Sequence, residues 1–93
     1  MKNKKKLTFI EGDFTYDEAK EILINIFSSK INFHTLKNWS SQERFGKDDE
    51  IAQKRIPALK NEMKKIEGIL SEAKAKNKKL VVSSDIKISL LED

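Results

Sequence analysis

Both arginines of the chain, Arg44 and Arg55, fall between Lys30 and Lys60, together with five lysines, four acidic residues and three aromatics, Phe33, Trp39 and Phe45. Cations interleaved with aromatic rings suit single-stranded nucleic acid, whose phosphates pair with the charges and whose bases stack on the rings. They equally suit a protein interface, where Trp and Arg are the usual anchors and Arg offers a two-pronged hydrogen-bonding fork. A third use is internal, with the aromatics pinning a connecting segment onto the core.

Other candidate chemistry is sparse. His34, the one histidine, lies between Phe33 and Thr35, and with no cysteine in the chain it lacks the partners a zinc site requires. Work as a general base would need a positioned partner, and Glu43 or Asp48 could reach His34 only by folding of the irregular segment around them. Asp48-Asp49-Glu50 could meet magnesium, but three acids at a helix start are explained by its free amides and dipole. Arg44-Phe45-Gly46-Lys47 lacks the two spaced glycines and the Lys-Ser/Thr pair of a phosphate-binding loop.

No nucleophile constellation, cofactor fingerprint or metal-ligand cluster stands out, so the expectation is a non-enzymatic protein-interaction module without cofactors. The residues expected to meet its partner are Trp39, Arg44, Phe45, Lys47 and Arg55. The alternative is nucleic-acid binding through Lys2 to Lys6, Arg44, Lys47, Lys54 and Arg55.

The net charge of +4 bears on that alternative. Lys2, Lys4, Lys5 and Lys6 account for all of it, and the remaining 15 cations balance the 15 acids. The body of the domain is formally neutral, and residues 1–6 read as a basic flexible tail preceding a single domain over residues 7–93. The apolar stretch after that tail is broken by Glu11, Gly12 and Asp13, too soon for a secretory signal. No run approaches the ~20 apolar residues of a bilayer span. Absence of cysteine fits a reducing compartment, and the cytoplasm is expected.

Residues 7–11 alternate as a short strand, and Gly12-Asp13 reads as a turn. Thr15-Tyr16-Asp17-Glu18 has the spacing of a capping box, so a helix should start at Tyr16. Ala19, Ile22, Leu23, Ile26 and Phe27 form its apolar stripe. Its end is open between Ser28-Ser29 and about Leu36. Residues 38–47 look least regular, with one helical turn plausible at Ser40-Ser41-Gln42-Glu43 and a left-handed stop at Gly46.

A long helix follows the acids at 48–50. Ala52, Ile56, Leu59, Met63, Ile66, Leu70 and Ala73 alternate in steps of four and three, a heptad seam, and Pro57 should kink the helix near its start. Lys74 to Lys79 give it a cationic end with Asn77 suited to a left-handed cap. Even positions from Leu80 to Leu90 are mostly apolar, which favours one half-buried strand over a hairpin at Ser84-Asp85.

The fold class expected is α+β, of order β-α-α-β, with two amphipathic helices packed on a small antiparallel sheet that a dimer partner could complete. An 11-residue strand outruns the five residues available to the first one, so self-pairing is expected to cover the remainder. The seam could pack within the chain or between chains. Expected self-association residues are Leu59, Met63, Ile66, Leu70, Ile86 and Ile88.

Overall fold

The structure, a computed structural model, describes residues 4–91. Its elements run β1 (Lys5–Phe14), α1 (Tyr16–Phe45), α2 (Glu50–Ala75) and β2 (Leu80–Ile88). The α+β class and the β-α-α-β order are those expected.

The capping box at Thr15 forms in full. The Glu18 amide donates to Thr15 Oγ1 at 3.2 Å and the Thr15 amide to Glu18 Oε1 at 3.0 Å. Thr15 is thus the sole residue between strand and helix, and the chain reverses there because both free amides are satisfied locally.

Three sequence expectations are corrected. First, residues 38–47 are not irregular: α1 continues to Phe45 and stops at Gly46, whose left-handed backbone (φ 68°) lets its amide close on the Gln42 carbonyl. The capping spacing at Ser40 goes unused because the turn before it is already helical. Asn38 and Gln42, one turn apart, instead clamp the connection. The Asp49 amide donates to Asn38 Oδ1 at 2.7 Å, and Gln42 Nε2 donates to Asp48 Oδ1 at 2.7 Å. Asp49 itself caps α2 by accepting from the Ala52 amide.

Second, Gly12-Asp13 is not a turn. Gly12 takes φ 150°, a conformation open to glycine, and β1 passes through it to Phe14. The strand therefore begins at Lys5, which removes Lys5 and Lys6 from the expected flexible tail; residues 1–3 of that tail lie outside the described residues. Third, the length mismatch disappears. Nine of the ten residues of β1 pair antiparallel with all nine of β2, from Lys5 opposite Ile88 to Phe14 opposite Leu80.

The register contains one bulge, at Phe9, between the pairs Thr8–Asp85 and Ile10–Ser84. Simple alternation would put Leu7 and Phe9 on one face and Ile10 on the other. The extra residue shifts the phase, so that Leu7, Ile10, Gly12 and Phe14 all share the face of Leu80, Val82, Ser84, Ile86 and Ile88. β2 is one strand, as expected.

The two helices pack antiparallel. Ile24 lies beside Leu70, and Ile31 and Thr35 beside Met63. The heptad seam of α2 faces α1: Ala52, Leu59, Leu70 and Ala73 are buried, and Ile56, Met63 and Ile66 are half-buried. The helix runs on through Pro57 without a fresh start. Proline has no amide to offer the Gln53 carbonyl, so the ladder loses one bond on an exposed face. At its end Asn77 adopts φ 55°, with its amide on the Lys74 carbonyl and the Lys78 amide on that of Ala73. This paired closure is the Schellman arrangement.

α1 departs from a one-sided amphipathic helix. Its α2-facing side is Ile24, Ser28, Ile31 and Thr35, while Leu23, Ile26 and Phe27 face the strands. It serves two neighbours at once, so apolar residues spread around it.

Candidate functional site: an open apolar wedge

The helical turn at residues 46–49 and the free end of the strand pair hold most of the exposed apolar side chains. At the helical turn, Trp39 is 61% exposed and Phe45 69%, so neither pins a connection onto the core. Arg44, Lys47, Lys54 and Arg55 are exposed around them, and none forms an ion pair among the described residues. The five expected partner residues thus gather within two turns of this end. They are accompanied by four carboxylates, Glu43, Asp48, Asp49 and Glu50, which keep the local charge close to balance.

His34 stands alone. Its ring meets Phe33 edge to face at a centroid distance of 5.2 Å, and its buried Nδ1 has no hydrogen-bond partner. Asp48, a carboxylate that could have served it, is held by Asn38 and Gln42. Among the described residues no three His, Cys, Asp or Glu side chains converge as a metal site would require. No helix is long and apolar enough to cross a membrane.

The largest concavity lies elsewhere, between the strand pair and α1. It is a groove of about 800 Å³ walled by Phe9, Ile10, Val82 and Ile86 on one side and Ile26 and Phe27 on the other. At its closed end Ile10 is buried, and Gly12, Phe14, Leu80, Val82 and Ser84 are half-buried. Toward the free end of the strands the same face emerges: Leu7 is 53% exposed and Ile88 47%, with Phe9 and Ile86 also open. Strands and helix meet at Thr15 and diverge from it, leaving a wedge whose apolar walls are interrupted by Lys30, Asp85 and small polar residues.

No family model, curated protein or solved structure matches the chain. The geometry must speak for itself.

Two groups of expected self-association residues separate at this point. Leu59 and Leu70 are 4% and 3% exposed within the single chain, with Met63 and Ile66 half-buried beside them against α1. A second copy could reach them only by parting the helices. Ile86 and Ile88 remain accessible, and they belong to the wedge. Leu7 and Phe9, absent from the expected set, belong with them. The signal missed was the bulge: a short apolar strand read by simple alternation does not reveal that Leu7 shares a face with Ile10.

Proposed function

We propose that this protein is a non-enzymatic, cytoplasmic protein-interaction module, a subunit whose apolar surface is completed by association, most simply as a homodimer. The observation that carries this reading is the amount of surface left open. The chain exposes 7721 Å², whereas a compact monomer of its 10.8 kDa mass would expose about 5,500 Å². Its radius of gyration is 16.8 Å against about 12 Å for a compact domain of this length. A slab of 50 × 35 × 15 Å cannot bury much. Among the described residues six apolar ones are buried, while thirteen large ones are exposed, far more than the scatter expected on a monomer.

Nothing in this arrangement calls for catalysis. The wedge holds Lys30 and Asp85 among its lining residues but no histidine, and the buried Nδ1 of His34 has no hydrogen-bond partner. The sheet adds a second reason for association, since a two-stranded ribbon leaves an unpaired edge on each strand.

The nucleic-acid reading retains one favourable observation, the unpaired Arg44, Lys47, Lys54 and Arg55 around exposed Trp39 and Phe45. Four acids among them weaken it. One experiment addresses both readings. In gently prepared native extract, the protein should elute from a sizing column well above 10.8 kDa, and nuclease treatment should leave that position unchanged. Elution at the monomer mass would sink the module reading, and collapse on nuclease treatment would favour nucleic acid.

A further inference from the structure

Resting on the reading of the protein as an interaction module, we propose that the wedge between the strand pair and α1 is the docking surface for a second copy of this chain, related by a two-fold axis. Each copy would place the free apolar end of its strand pair, Leu7, Ile86 and Ile88, against the open groove of the other.

The argument starts from the phase of the strands. The bulge at Phe9 brings Leu7 onto the face of Ile10, directly opposite Ile86. That face is covered by α1 at its root and bare at its end, so one continuous apolar surface is half used. The groove beside it is lined by Phe9, Ile26 and Phe27 and opens on the same side. A projecting apolar end next to an apolar recess is self-complementary: under a two-fold, the end of one copy meets the recess of the other and the reverse contact follows by symmetry.

Area favours a second copy as occupant, and the small net charge does not oppose it. The surface in excess of a compact monomer is roughly 2,000 Å², and a stable interface needs about 800 Å² from each partner. The folded body from Lys5 onward carries only two more cations than acids, so two copies approach without the mutual repulsion of a strongly charged body. Lys6 Nζ lies 3.7 Å from Asp85 Oδ2, whereas Lys5 stands opposite Ile88 on the apolar face and forms no ion pair among the described residues. The larger part of the surface is apolar, and an apolar partner of the same shape finds both halves of its contact.

Sedimentation equilibrium of the purified full chain at 10–100 µM tests this. The expected mass is twice the 10.8 kDa of the chain. The double variant Leu7→Lys/Ile88→Glu, altering two side chains that are about half exposed, should weaken the dimer by about 100-fold or more, because a charge replaces a buried apolar contact at four places in the assembly. Ile51→Glu, equally exposed but on α2 and outside the wedge, should leave it unchanged. A monomer at every concentration, or a dimer indifferent to the wedge substitutions, overturns the proposal.

Should the double variant lose its helical circular dichroism, Ile88→Cys takes its place. The chain has no other thiol, so alkylation of this one should slow as protein concentration rises through the dimerisation range. A rate independent of concentration overturns the proposal as well. If the pure chain is monomeric while the native extract holds it in a larger assembly, the second copy is excluded as occupant and the module reading stands.

Discussion

Thr15 and Ser40 carry the same local signal and meet different fates. Each is a hydroxyl residue followed three positions later by Glu, yet Thr15 forms both bonds of the capping box and Ser40 forms neither. Thr15 follows a strand, with its backbone extended at ψ 167°, whereas Ser40 follows helical turns that hold their direction. Thr15→Ala should therefore lower unfolding free energy by about 1 kcal/mol in urea titration, while Ser40→Ala should change it by less than about 0.5 kcal/mol. Equal effects at the two sites would contradict the assignment. Asn38 makes a related point, because its value lies in the Asp49 amide eleven residues on, a partner that local spacing does not reveal.

At the scale of elements, α2 was the most legible part of the chain. Its seam, its acidic start and its Asn77 closure all rest on neighbours within five residues, and all are present. Pro57 sits inside this helix with Gln53 left short of a donor. Pro57→Ala should restore that bond and raise stability by about 1–2 kcal/mol, the helical gain being partly offset by a freer unfolded chain. A drop in the urea midpoint would show that the proline serves packing instead. α1 was harder to read. Its seam toward α2 includes Ser28 and Thr35, too polar to register as a stripe, and Ile24 fell outside the stripe expected. β1 was harder still, because glycine and a bulge both break the alternation by which strands are recognised.

For the whole molecule, the limiting fact is the thinness of the core. Ile10, Ala19, Ala52, Leu59, Leu70 and Ala73 are its buried members, and three of the six are alanines. The three ion pairs among the described residues are all exposed and add little. A fold with so small a core draws stability from association, so its melting temperature should rise with protein concentration, as mass action requires for a dimer that unfolds to separate chains. Calorimetry across a hundredfold range of concentration would show this, and a constant melting temperature would indicate a self-sufficient monomer. The mismatch of strand lengths no longer argues for a dimer; the bare end of the apolar face now does.

The sequence by itself determined the element order, both ends of α2, the start of α1 and the class of the fold. Those features depend on caps, heptad spacing and turn residues, whose energetics act over a few positions. Tertiary structure decided the end of α1, the phase of β1 and the ownership of the heptad seam. Each of these depends on groups far apart in the chain: Asn38 on Asp49, Ile10 on Ser84, Leu70 on Ile24. It also decided which apolar residues remain open, since a side chain's exposure is set by what packs over it and not by its own type.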